Sequence, residues 1–195
     1  MIRRTVDILG SALLLLILAP IMLLLGLLVK LSSPGPVLFR QTRIGRHRVP
    51  FTLLKFRSMR PSQGGPEVTA GGDQRITGIG RIMRKYKLDE LPQFLNVLRG
   101  EMALVGPRPE VPRYVEHYSP VQLEVLSVRP GVTGLTQLEY RNEEALLEGR
   151  DDVEDYYINE IMPAKLAIDL KYLQSRTLGG DMLLLLRTVW AVVAR

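Results

Sequence analysis

The stretch RIMRKYKLDELPQFLNVLRGEMALVG (residues 81–106) decides how the rest of the chain is read. At its centre Asp89 and Glu90 follow a basic run of Arg81, Arg84, Lys85 and Lys87. Leu91, Phe94, Leu95 and Leu98 recur at i, i+3, i+4 and i+7, the spacing of one buried helical face, and Gly100 stands where a helix stop belongs. On this reading Asp89 is the helix N-cap, and Pro92 falls in the first turn, where a missing N–H costs little. A carboxylate there is kept ionised by unpaired backbone N–H groups and the helix dipole, with cations around it. Such a group suits an anionic nucleophile or a metal ligand that meets a phosphate. Taken by itself the stretch favours a plainer account, a capping Asp beside a solvated Glu, because capping acids far outnumber catalytic ones.

Upstream, Ile76, Ile79, Ile82, Met83 and Tyr86 carry helical spacing into this stretch. Residues 61–73 are rich in Gly, Pro and Ser and read as a mobile loop; neither GxxxxGK[ST] nor GxGxxG occurs there. Residues 51–59 (FTLLKFRSM) and 37–41 (VLFRQ) read as strands, with a basic turn at residues 43–46 between them. Alternation sets Leu53, Lys55 and Arg57 on one side of the longer strand and Leu54, Phe56 and Ser58 on the other. The cationic side is either a solvated edge or a phosphate-facing surface.

Further upstream, residues 8–31 are apolar apart from Ser11, Pro20, Lys30 and glycines, about two dozen residues and enough for the ~20 that cross a bilayer. A signal peptide would have a shorter apolar region, and Leu31-Ser32-Ser33-Pro34 is a poor cleavage context. Pro20 near the middle predicts a kink. Arg3 and Arg4 precede the segment, and Lys30, Arg40, Arg43, Arg46 and Arg48 follow it. A spanning helix usually carries its Lys/Arg bias on one side, so basic flanks at both ends fit a re-entrant hairpin that bends at Pro20. On the residues alone, the re-entrant and kinked spanning readings stand level.

Downstream, Pro107 and Pro109 hold Arg108 in a stiff turn, a geometry suited to clamping phosphate as well as to an exposed turn. Residues 129–134 (RPGVTG) form a second stiff turn with a cation, and residues 135–138 read as a strand with Arg141 just past it. Residues 143–160 are acidic with helical character and read as a solvated face. Residues 163–173 read as another helix. Residues 181–195 (DMLLLLRTVWAVVAR) are too short to span a bilayer and read as a helix either buried or lying in the membrane interface.

The 195-residue chain has a net charge of +6, which implies anionic partners. It has no cysteine, so disulfides, Cys-based zinc sites and thiol catalysis are excluded, and with only His47 and His117 a multi-histidine metal site does not fit. Aromatic residues make up 6% and do not interleave with the basic runs, which argues against a nucleic-acid platform.

These segments, in this order, resemble the bacterial sugar transferase family, the monotopic phosphoglycosyl transferases. The resemblance rests on the basic-flanked apolar segment with Pro20, SSPGPVLFRQTRIG (32–45), KFRSM (55–59), LDELPQ (88–93) with FLNVLRGEMALVGPRPE (94–110), and RPGVTGLTQ (129–137), and so covers nearly the whole chain. The short chain resembles the minimal members, which carry only the catalytic domain and the re-entrant helix. The resemblance implies a helix-rich α+β fold: a re-entrant membrane helix over residues 1–33, then a cytosolic catalytic domain over residues 34–195, of helices and short strands with interfacial amphipathic helices.

It also implies a reaction at the cytoplasmic face of the bacterial inner membrane. A UDP-sugar donates sugar phosphate to polyprenyl phosphate, giving polyprenyl-diphosphate sugar and UMP. Asp89 would be the covalent nucleophile, with Mg²⁺ near it and Glu90 positioning the metal or the nucleophile. Lys55, Arg84, Arg108 and Arg141 match positions that face the phosphates, and Arg129 is assigned with them. The sequence departs from some members at Ala19, where a serine precedes the membrane proline. The competing reading is a non-catalytic basic adaptor that binds anionic membrane lipid.

Overall fold

The computed structural model describes residues 2–60 and 73–194. All but Asp73 of the stretch read as a mobile loop lies outside them. The fold is helix-rich α+β. Its longest element is α1 (Ile2–Ser32), one continuous helix of 31 residues that runs through Pro20 and is long and apolar enough to cross a membrane. It stops at the Ser-Pro-Gly-Pro break.

The antiparallel hairpin of β1 (Leu38–Ile44) and β2 (Pro50–Phe56) follows, in register from Leu38 opposite Phe56 to Ile44 opposite Pro50. Alternation sends Leu53 and Phe56 to opposite faces of β2, as expected, but both faces pack, not one. Leu53, Leu54 and Phe56 are all buried, because helices cover both faces of the ribbon. Arg57 is buried too, and its Nη2 donates to the carbonyls of Val29 (3.2 Å) and Ser33 (2.6 Å) at the end of α1. A guanidinium can neutralise unpaired carbonyls at a helix C-terminus, and here it does so from inside the protein.

Next come α2 (Gly78–Lys85), capped by the Thr77 hydroxyl, and α3 (Gln93–Arg99), which ends at Gly100 with φ +86° as the sequence predicts. The N-cap of α3 is Pro92, not Asp89. Lys87 adopts a left-handed conformation (φ 54°) and starts a tight 3₁₀ turn over Leu88–Glu90, so both acids precede the helix. The inward face of α3 also differs from the leucine stripe. Gln93, Asn96 and Val97 are buried, while Leu91, Phe94, Leu95 and Leu98 are half-buried. Asn96 explains the rotation. Its Oδ1 accepts from Leu54 N (3.1 Å), and its Nδ2 donates to Thr52 O and to the Glu101 carboxylate (both 2.7 Å). A fully satisfied buried amide fastens α3 to β2.

β3 (Ala103–Val105) pairs in parallel with β4 (Gly131–Thr133), a pairing the sequence did not suggest. Between them lies α4 (Pro112–Val115). The stretch 135–138, read as a strand, is the short helix α5 (Leu135–Glu139), because Leu135 and Leu138 pack together on one side against Leu104, Val105 and Leu184. Then follow α6 (Glu143–Leu146), α7 (Val153–Tyr156), a π-helical turn over Tyr157–Ile161, α8 (Met162–Gln174) and α9 (Leu178–Val193). One core cluster joins Val111, Tyr114 and Val125 to Leu147, Tyr157 and Leu166.

Both ends of α1 are fastened to this body. At the start, Arg3 pairs with Asp181 (3.0 Å), Arg4 donates to the last-turn carbonyls Val97 (2.7 Å) and Leu98 (3.1 Å) of α3, and Asp7 accepts from Leu104 N (2.9 Å). At the finish, Leu25 and Val29 pack on Phe56 and Met83. Leu9, Leu13, Leu16, Ile17, Leu23 and Leu27 are exposed, as are Leu183, Leu186, Val189 and Trp190 of α9.

Candidate active site

Because Lys87 turns the chain sharply, Asp89 and Glu90 face inward with 5% and 8% exposure. They line a cavity of 1640 Å³. Glu90 Oε1 accepts from Lys55 Nζ (3.3 Å), delivered by the hairpin, and from Arg108 Nη2 (3.0 Å). Asp89 Oδ1 is buried and has no hydrogen-bond partner. The two neighbours therefore do different work: Glu90 organises the cations, and Asp89 presents a free oxygen.

Burial pushes the Asp89 carboxyl up, against the opposing pull of Lys55, and the neighbouring Glu90 charge adds to the rise. This replaces the sequence-based view of a carboxylate kept ionised by a helix end. Burial acts on Glu90 in the same sense, but Arg108 and Lys55 outweigh it and hold that carboxyl well below its ordinary range. Lys55 is brought down to about 8 by burial, with Glu90 and Asp89 opposing the drop.

Arg108 owes its placement to a glycine knot. Gly131 N donates to Pro107 O (2.8 Å) and Gly106 N to Thr133 O (2.9 Å), so the proline-flanked turn is pinned to the end of the parallel ladder. A Cβ on Gly131 would stand 2.1 Å from Gly106 N, so only glycine admits this approach.

Arg84 also lines the cavity and is paired with Glu144, and Arg141 stands exposed at its edge. Arg129 is not brought there. Its Nε donates to Gly100 O (2.7 Å), so it secures the end of α3. The acidic stretch, read as solvated, turns two of its carboxylates into the cavity: Glu144 towards Arg84, and Glu143 towards Lys165 (2.6 Å). Beside them is a cluster the sequence did not single out. Arg43 pairs with Glu110 (2.8 Å), Tyr157 donates to Glu110 (2.6 Å), and Lys165 donates to Tyr157 Oη (3.2 Å). These residues come from β1, the turn after β3, the π-helical turn and α8, so no local pattern links them. The Arg43 and Lys165 charges overcome burial and hold the Glu110 carboxyl low.

The cavity is also lined by apolar side chains, Leu14, Leu18 and Ile21 of α1 and Leu185, Val189 and Val192 of α9. The arrangement can hold an anionic group against Lys55, Arg84 and Arg108, with a hydrocarbon beside it.

The family model described as bacterial sugar transferase matches residues 1–195. The chain is 43% identical over 192 residues to the UDP-glucose:undecaprenyl-phosphate glucose-1-phosphate transferase of Caulobacter vibrioides, covering 96% of this chain and 68% of that protein. It is 39% identical over 207 residues to the exopolysaccharide production protein PSS of Rhizobium leguminosarum bv. phaseoli, covering 100% of this chain and 96% of that one. It is 36% identical to the UDP-N-acetylgalactosamine-undecaprenyl-phosphate N-acetylgalactosaminephosphotransferase of Aeromonas hydrophila, covering 98% of this chain but 44% of the longer relative. With the acid pair, its cations and the motifs that carry them all in one match, the chain belongs to the bacterial sugar transferase family.

Proposed function

We propose that this protein transfers sugar phosphate from a UDP-sugar to undecaprenyl phosphate, releasing UMP, as a step in bacterial exopolysaccharide assembly. The relatives' names supply the substrate classes. The observation that carries the reading is the unpartnered, buried Asp89 Oδ1 in a cavity lined both by cations and by apolar side chains of α1 and α9.

Asp89 Oδ1 attacks the sugar-bearing phosphorus. A P–O bond forms, the bond to the UMP oxygen breaks, and UMP leaves with that electron pair. The acyl phosphate on Asp89 is then attacked by an oxygen of undecaprenyl phosphate, which restores the carboxylate. Lys55, Arg84 and Arg108 offset the repulsion between a carboxylate and an anionic diphosphate. Glu90 keeps Lys55 and Arg108 in place. Burial leaves Asp89 poorly solvated, so it enters the reaction with little water to shed.

Mg²⁺ fits this site. The Asp89 carboxylate is a hard donor with Glu90 beside it: its second oxygen, Oδ2, would hold the ion while the unpartnered Oδ1 stays free to attack, and substrate phosphates would supply further oxygens. Bound there, it would neutralise charge on the diphosphate.

The reading of α1 as re-entrant draws support from its two anchored ends. A helix of 31 residues is ~46 Å long, so a straight span would put its ends on opposite sides of a ~30 Å hydrocarbon layer. Here Arg3, Arg4 and Asp7 at one end and Leu25 and Val29 at the other grip the same body. With the exposed side of α9, the helix sets the cavity at the cytoplasmic membrane surface, the side that basic flanks favour.

The test is UMP release from UDP-glucose and other UDP-sugars by the protein in nanodiscs with undecaprenyl phosphate. Asp89→Asn should abolish turnover and leave no covalent phosphosugar on the protein. Wild-type-like turnover by that variant would sink the mechanism, and undiminished turnover in excess chelator would remove the metal.

A further inference from the structure

We propose that Gln137 contacts the sugar phosphate as it is transferred; this rests on the reaction proposed above. Gln137 lies on α5, whose Leu135 and Leu138 face the core and whose Thr136 hydroxyl donates to Asp169. The Gln137 side chain lines the cavity, as do Thr136 and Leu138, but unlike them it is tied neither to the core cluster nor to a hydrogen-bond partner. Both its Nε2 and its Oε1 are buried, and neither has a hydrogen-bond partner. An amide orphaned at both atoms is costly, because each atom has lost water and gained nothing in return. The buried amides elsewhere differ. Asn96 makes three hydrogen bonds, and Gln93 leaves only Nε2 unpaired and does not line the cavity.

The amide is also in the right place. A Cβ built on Gly134 would stand 2.6 Å from Gln137 Oε1 and 2.4 Å from Gly106 O. Gln137 therefore sits beside the turn that presents Arg108, whose guanidinium bonds Glu90 next to Asp89. A ligand that satisfies both amide atoms must offer an acceptor and a donor together. At the Arg108 turn the sugar phosphate does so: Nε2–H donates to a phosphoryl oxygen, and Oε1 accepts from a sugar hydroxyl. Gly134 is part of the same device, since any side chain there would displace the amide.

A residue held unsatisfied for its substrate has a signature that a structural residue lacks. Replacing it with an apolar side chain of similar length removes two unmet polar atoms from the resting protein and two contacts from the bound state. Gln137→Met in the full chain, in nanodiscs, should keep or raise the thermal midpoint while lowering kcat/KM for UMP release by about ten- to a hundredfold. The loss should appear in the KM for UDP-glucose, and the stabilisation that UDP-glucose gives to the melt should shrink. Gln137→Glu, of the same shape, should be slower still, because a carboxylate repels phosphoryl oxygens. A lower midpoint for Gln137→Met would show that the amide has a structural role and overturn the proposal. So would unchanged kcat/KM in either variant beside an active wild type. A wild type that released no UMP from any UDP-sugar would defeat the reaction itself, and this inference with it.

Discussion

Asp89 and Glu90 are adjacent and buried, yet their carboxyl pKa values move in opposite directions. The difference is one of partners: Glu90 binds two cations, and Asp89 Oδ1 binds nothing. Glu90→Gln should therefore lower activity through Lys55 and Arg108, raising the KM for UDP-sugar as well as reducing kcat, as steady-state kinetics would show. Lys55 sets the alkaline limit. Its pKa drops from 10.5 to about 8 on folding, so the cation is present below pH 8 and is lost as the pH rises through it. The kcat/KM of the free enzyme should fall above about pH 8, and Lys55→Arg should move that limb upward, as a pH–rate profile would show. Much of this site was legible in the sequence. Asp89, Glu90, Lys55, Arg84, Arg108 and Arg141 all reach one cavity. Arg129 does not, because a cation on a stiff turn looks alike whether it faces a phosphate or a helix-end carbonyl.

At the scale of elements, the hairpin and the stop at Gly100 were legible because each is signalled locally, by alternation or by a glycine at positive φ. The N-cap and the buried face of α3 were not. The Lys87 turn and the Asn96 bonds to β2 decide them, and both depend on contacts that spacing does not encode. The same holds for α5, a short apolar run whose shape is set by the cluster it joins. Asn96→Ala should cost about 2–4 kcal/mol, since Leu54 N, Thr52 O and Glu101 all lose their partner inside the protein. Denaturant melts would measure it, and a loss under ~0.5 kcal/mol would show that α3 is held by other means.

Over the whole molecule, α1 is less an appendage than a beam clamped at two ends. The absence of cysteine makes its course easy to follow, because single cysteines can be introduced at Thr5, Leu16 and Ser32 without background. Membrane-impermeant thiol reagents should label residues 5 and 32 from the cytoplasmic side and leave residue 16 protected; external labelling of residue 5 would show a span instead. Viewed entire, the cavity also brings its own counter-ions. Arg84 and Lys165 face Glu144 and Glu143 from α6, as Lys55 and Arg108 face Glu90. An arriving diphosphate then exchanges a tethered carboxylate for its own charge and frees few mobile ions into solution. Substrate affinity should therefore respond to ionic strength far less steeply than four cations in open water would, whereas Glu144→Gln, which leaves Arg84 to a mobile ion, should steepen the dependence of log KM on log salt by about one.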